Sequence, residues 1–206
     1  MPGLAKEKDH ELWARFLKGD EQVMSLIYLR HVNALFDYGC KISSDQGLVK
    51  DCIQDIFCTI IKNRTSLSYT DNIRLYLFKA LKRKIIRELQ KKNKLQFTDE
   101  ERQIGFDVSF IHGFDHVESG LSSKQKTDLI NAVESLTSRQ KEAIYLRFTR
   151  GMDYEEISMI LNLNYQSARA LIHRAIGKLR EILKEKADQF NQIMLFIFKE
   201  ISKDVL

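Results

Sequence analysis

The chain is poor in proline and cysteine, with one proline, Pro2, and three cysteines among 206 residues. Proline at the terminus leaves every helix interior unbroken. Cys40, Cys52 and Cys58 are odd in number and lack metal or redox spacing, which argues against a disulfide framework; Cys52 falls on an apolar helical stripe and reads as a core thiol. A reducing compartment is therefore expected. No apolar run approaches a membrane span, and residues 1–9 carry no signal-like segment, so a cytoplasmic location is expected. Also missing are a glycine-rich phosphate loop, a nucleophile constellation and a metal-ligand cluster, so no catalytic residue and no cofactor are expected. His112 and His116 lie four apart, but beside Gly113 and outside any helical pattern, and read as surface residues.

What is present points elsewhere. A hydrophobic share of 44% marks a globular chain, and its length allows two small cores. Thirty-three Lys and Arg against 28 Asp and Glu give a net charge of +5 and a pI near 9.0, which favours polyanionic partners.

The last third holds a helix-turn-helix over residues 153–180. Asp153 with Glu156 forms a capping box. Ile157, Ile160 and Leu161 recur on one face, and Asn162-Leu163-Asn164 tolerates a tight turn. In the following helix Ala168, Ile172, Ala175 and Leu179 form the core stripe. That leaves Gln166, Ser167, Arg169, Ala170, His173, Arg174 and Lys178 as candidates for contact with duplex DNA. Upstream, Thr137 with Gln140 opens another capped helix carrying Ala143, Ile144, Leu146 and Phe148, which Gly151 ends. The block reads as a four-helix module.

The first half reads as four helices. The first runs from Asp9 to Leu17, with Leu12, Trp13, Phe16 and Leu17 apolar; Gly19 breaks it, and Asp20 is a candidate cap for the second, about Glu21 to Ile42. The third, about Gly47 to Arg64, has a wide apolar stripe that includes Phe57, while Asp51, Gln54 and Asp55 form an acidic outer face. The fourth, about Asp71 to Lys94, carries Arg74, Lys79, Lys82, Arg83, Lys84, Arg87, Lys91, Lys92 and Lys94 against Asp71 and Glu88. Tyr69, Tyr76 and Phe78 lie in or beside it. Aromatic rings among cations suit unpaired bases and their phosphates, although each ring is equally readable as core packing.

Residues 95–125 lose helical periodicity and gain glycine, serine and acids, yet Phe97, Phe106, Phe110, Ile111 and Phe114 recur. This is a linker expected to dock on a basic surface. In the tail, 187–206, Phe190, Ile193, Met194, Ile197, Phe198 and Ile201 form one apolar helical face, with packing on its own domain as the default. The fold class is all-α, with domains at 1–94 and 126–186 joined by the acidic linker and followed by an amphipathic C-terminal helix.

With these motifs in this order, the chain resembles an extracytoplasmic-function sigma factor of the sigma-70 family over nearly its whole length. Asp51-Cys-Ile-Gln54-Asp55-Ile-Phe57 matches the family form Asp-Leu-Val-Gln-Glu-Val-Phe, and Tyr76-Leu77 opens the basic stretch as in the family. The resemblance implies a region 2-like N-terminal bundle and a region 4-like C-terminal domain. It gives Asp51, Gln54, Asp55 and Phe57 a role in gripping bacterial core RNA polymerase. It gives Tyr69, Tyr76, Lys79, Lys82, Arg83 and Arg87 a role in binding and opening the downstream promoter element. The helix-turn-helix would read the upstream element, and an anti-sigma factor is implied as a partner.

There are departures. Arg83 stands where the family usually has an asparagine, and a cation cannot both donate and accept as an amide does. Leu171 and Ile176 replace residues that are often basic, while Ala170 and Gly177 offer no hydrogen-bonding side chain. Sparse base readout is expected, and two readings stay open: help from a DNA-bound recruiter or a contact through the tail, or a conventional factor with unusual promoter elements. Two other classes compete: a one-component helix-turn-helix regulator binding a palindrome as a dimer, and a basic helical adaptor for nucleic acid or anionic lipid. Neither has a use for the acidic face at Asp51, Gln54 and Asp55.

Overall fold

Side-chain caps set where several helices start. A computed structural model describes residues 7–93, 105–106 and 123–182. The described chain is all-α, as expected, with no strand among the described residues. Its contacts divide it into two compact units, Met1–Asp99 and Glu100–Leu206.

The first unit contains α1 (Asp9–Leu17), α2 (Glu21–Ile42), α3 (Gln46–Lys62) and α4 (Ile73–Asn93), with a 3₁₀ turn at Arg64–Ser66. Asp45 caps α3 by accepting from the Leu48 amide at 2.9 Å, and Asn72 accepts from Leu75 at 2.8 Å ahead of α4, satisfying amides left orphaned at a helix start. Asp20 stands at the start of α2 but makes no capping bond with its side chain. Its carboxylate instead takes Arg15 Nε and Nη2 at 3.1 and 2.6 Å, because a charged, two-point partner outcompetes a single amide.

Helices α2, α3 and α4 pack on one another, and α1 lies against α2 and α4. Ile73, Leu77, Leu81 and Ile85 on α4 are fully buried; their spacing of four places them on one face. They meet Val23, Ile27, Leu35 and Tyr38 of α2 and Val49, Cys52, Ile53 and Ile60 of α3 in the core. Each such side chain contributes about 1.5–3 kcal/mol of burial. Gly39 lets α2 approach closely: a Cβ there would meet Val49 at 2.5 Å and Ile85 at 3.2 Å. Cys52 is buried as expected, and desolvation pushes its thiol up to about 11.

The second unit contains α5 (Ser123–Glu134), α6 (Ser138–Ile144), α7 (Tyr154–Ile160) and α8 (Tyr165–Ile182). Both expected capping boxes form. Gln140 N donates to Thr137 Oγ1 at 3.3 Å while Thr137 N donates to Gln140 at 3.0 Å. Glu156 N and Asp153 N make the reciprocal pair at 2.8 and 2.9 Å. The helix after Thr137 departs from expectation, because its last turn widens into a π turn over Tyr145–Thr149. Ala143, Ile144, Tyr145, Leu146 and Phe148 are all buried, a wider apolar arc than one face of a regular helix covers. Gly151 then turns the chain at φ 62°.

From the segment read as a linker, Phe106 belongs to this second unit. It is 4% exposed and its ring lies 5.6 Å from Tyr145. Arg150 stacks on the same tyrosine at 5.2 Å and donates from Nε to its hydroxyl at 2.7 Å, so a cation does stand beside the docking point. The other linker aromatics, His112, His116, Lys94 and the tail lie outside the described residues. Among the described residues no helix is long and apolar enough to cross a membrane.

Candidate nucleic-acid interface

Two surfaces carry the candidate residues, one on each unit. On the second unit, Ala168, Ile172, Ala175 and Leu179 are buried as expected, which turns Gln166, Arg169, Ala170, His173 and Arg174 outward, all exposed, with Ser167 half-buried. The turn before α8 is built by Asn162 at φ 51° and by Leu163 N donating to Ser158 O at 2.8 Å, a Schellman-type helix end with asparagine in place of glycine. Arg139 Nη2 donates to Leu161 O at 2.9 Å and holds the same turn. Asn164 then accepts from the Ser167 amide at 2.7 Å and starts α8.

Lys178 is placed differently from the sequence reading. It is half-buried, and its ammonium donates to Ser135 O just beyond α5. A lysine at that point satisfies a carbonyl at a helix end, so it fastens α8 to α5. Two aromatics escaped the sequence reading. Tyr165, the first residue of α8, is 45% exposed and meets Tyr154, the first residue of α7, edge-on at 6.1 Å. Arg147 stacks on Tyr154 at 4.9 Å. The available signal was a tyrosine at the first position of both helices of the motif.

On the first unit, α3 and α4 border an open cleft of about 390 Å³ lined in part by Asp55, Tyr76, Lys79, Arg83, Lys84 and Arg87. Arg83 and Arg87 are exposed, and Lys79 and Lys82 half-buried. The aromatics separate by role. Tyr69 is 60% exposed on a loop held by Trp13 Nε1, which donates to Ser68 O at 3.1 Å. Tyr76 packs against Trp13 at 5.5 Å, and this burial raises its phenol above the usual value. Phe78 is fully buried against Tyr38 at 4.9 Å. Tyr69 is thus the ring best presented for stacking, and Tyr76 shares its surface between core and cleft.

On α3, Asp51, Gln54 and Asp55 are exposed. Phe57 departs from the sequence reading: it is 5% exposed and meets Tyr28 edge-on at 5.0 Å, so in the free chain it supports the acidic face from beneath. Lys84 Nζ sits 2.7 Å from Asp55 and 3.3 Å from Glu88.

These elements define a helix-turn-helix protein whose recognition helix presents a polar and basic face. Residues 126–179 match the family model described as Sigma-70, region 4. The chain is similar to the RNA polymerase sigma factor SigZ of Bacillus subtilis (strain 168), 26% identical over 163 residues that cover 76% of this chain and 88% of SigZ. It is also similar to SigV of the same organism, 27% identical over 137 residues covering 66% and 76% of the respective chains. Its fold is similar to that of CnrH solved in complex with the cytosolic domain of CnrY, with a TM-score of 0.57 at 20% identity, covering 87% of this chain and 99% of the other. The sigma factor RpoE in complex with the anti-sigma factor NepR from Bartonella quintana gives a TM-score of 0.52 at 21% identity, covering 79% and 97%. Over most of its length the chain is thus similar to sigma factors, and its residues 126–179 match region 4 of the sigma-70 family.

Proposed function

We propose that the protein is a sigma factor that binds core RNA polymerase, directs it to promoters and helps to open promoter DNA. The observation that carries this reading is the joint presence of a region 4 match at residues 126–179 and, in the other unit, a cationic cleft beside an acidic helix face. Asp51, Gln54 and Asp55 bind polymerase. Gln166, Ser167, Arg169, His173 and Arg174 contact the upstream duplex. Tyr69 stacks an unpaired base of the opened strand while Lys79, Lys82, Arg83 and Arg87 neutralise its phosphates, and binding energy drives melting. Polymerase supplies the chemistry. Domain limits of 1–94 and 126–186 assign one promoter element to each unit.

Readout by α8 is sparse, since Ala170 and Gly177 have no hydrogen-bonding side chain to match the donor and acceptor pattern of the major groove. A DNA-bound recruiter, or a contact through the apolar tail, supplements it. As RpoE, similar in fold, is solved in complex with the anti-sigma factor NepR, an anti-sigma factor covers these faces until a signal releases them.

The test mixes the purified protein with bacterial core polymerase and reads co-elution and transcription from a supercoiled genomic library. Stable complex with discrete starts supports the reading. Complex without starts points to the recruiter, and no complex at all moves the assignment to a DNA-binding regulator.

A further inference from the structure

The exposed Tyr165 is unexplained by the contacts assigned above. A large aromatic at 45% exposure stands next to Gln166, at the leading end of the helix proposed to enter the major groove. Residues at that end of a recognition helix are the ones that reach base edges. The ring is also preorganised. It meets Tyr154 at 6.1 Å with the planes at 77°; Tyr154 carries the Arg147 guanidinium at 4.9 Å; and Arg147 Nη1 donates to Met152 O at 2.8 Å, which ties the ladder to the backbone. Such a ladder limits the rotamers open to Tyr165 before any DNA arrives, so little ordering cost remains at binding.

The rest of the groove face limits what the ring can read. Ala170 is exposed, and nothing lies within 4 Å of a Cβ placed on Gly177. The face therefore offers an apolar position at Ala170, among Gln166, Arg169 and His173, and an empty one a turn further on at Gly177. In the major groove the apolar mark that distinguishes one base is the 5-methyl group of thymine.

We propose that Tyr165 reads the 5-methyl group of a thymine in the upstream element, making it a specificity-determining residue of the helix-turn-helix. This rests on the sigma factor reading. Methyl recognition is what a rigid, half-exposed ring adds to a helix short of hydrogen-bonding groups.

The experiment uses the full chain bound to core polymerase and duplexes selected from a library randomised over the upstream element. Each selected thymine is then replaced in turn by uracil, which removes the methyl and keeps the base pair. The wild-type complex loses about fourfold in affinity at one thymine, the factor expected for one buried methyl group. Tyr165→Ala binds the thymine and uracil duplexes alike, and Tyr165→Phe keeps the preference. Indifference of the wild type to every uracil, or a uracil loss that persists in Tyr165→Ala, overturns the inference alone. A chain that forms no complex with core polymerase overturns the proposed function, and a wild-type complex that selects no duplex overturns the upstream readout by α8 and this inference with it. The uracil series leaves the protein unchanged, so its outcome does not depend on how well any variant folds.

Discussion

The Asp55 carboxylate of α3 holds the Lys84 ammonium of α4 at 2.7 Å, so the acidic face and the basic helix of the first unit share an ion pair. The hydrogen bond from Lys84 to Asp55, reinforced by Glu88, raises the lysine above its usual value. The Asp55 side chain is 60% exposed, and exposed pairs contribute about 0–1 kcal/mol. The pair is therefore a minor support of the fold, and the outer face of α3 remains accessible to a partner.

That division predicts the result of replacing Asp51, Gln54 and Asp55 together by alanine. Thermal stability should change little, since surface substitutions lie mostly within about 0.5 kcal/mol each. Polymerase affinity should fall at least about tenfold, through loss of the electrostatic and hydrogen-bonding complement. Co-elution and a titration with core polymerase measure it. Undiminished binding with an intact fold would remove polymerase contact from this face.

Tyr69 and Tyr76 should separate in the same kind of assay. Tyr69→Ala removes an exposed ring, so stability should hold while affinity for single-stranded promoter DNA falls by about 1–3 kcal/mol, the contribution of one stacked base. Tyr76→Ala removes a ring packed on Trp13 and should lower the denaturation midpoint of the first unit. A thermal melt paired with a single-strand binding isotherm reads both. Loss of stability in Tyr69→Ala with unchanged strand binding would contradict the assignment.

The sequence showed features governed by a few neighbouring residues. The bounds of α1 and α2, the two capping boxes, the left-handed turn near Asn162 and the stripe of α8 all follow from hydrogen bonds within one turn or from helical periodicity. Asp45 and Asn72 were missed as caps although the chemistry was local, because each stands in a polar run, Ser43-Ser44-Asp45 and Thr70-Asp71-Asn72, that offers more than one cap candidate. Other features depend on partners far along the chain. Trp13 and Ser68 meet across 55 residues, and Lys178 reaches Ser135 across 43. Spacing alone offered Lys178 to DNA because it does not record which carbonyl the fold brings nearby. Phe57 was read both as core and as contact; the edge-on packing on Tyr28 decides for core.

Phe106 tests the docking of its segment on the second unit. With 4% exposure against Tyr145, Phe106→Ala should cost that unit about 3–5 kcal/mol, as for other buried phenylalanines. Amide exchange over residues 145–149 should quicken in step. The first unit should melt as before, because the contact lies within the second. Unchanged exchange in the π turn would show that the ring leaves this site in solution.

His31 makes the stability of the first unit depend on pH. It is 7% exposed on α2, and its Nε2 is buried without a hydrogen-bond partner among the described residues; Asp9 of α1 lies 3.7 Å away. Burial lowers its pKa most, Asp9 opposes that, and Arg30 of α2 and Arg74 of α4 add to the lowering. The folded imidazole therefore binds a proton less readily than the unfolded one, whose pKa is about 6.5. Stability from this group is complete above that value. It declines as pH falls, because only the unfolded state takes up the proton, and it levels off once the pH passes the folded pKa. The slope cannot exceed about 1.4 kcal/mol per pH unit for one group. Asp20, Asp45 and Glu88 have lowered pKa values, so their losses begin as pH falls into the ordinary carboxylate range, about 4, below the window in which His31 acts, and do not mask the effect. Urea unfolding of the first unit between pH 7.5 and 5.5 should show the decline in the wild type and a flat profile in His31→Leu, which removes the titrating group and keeps an apolar side chain in the site. A decline of equal slope in the variant would assign the pH dependence to some other group.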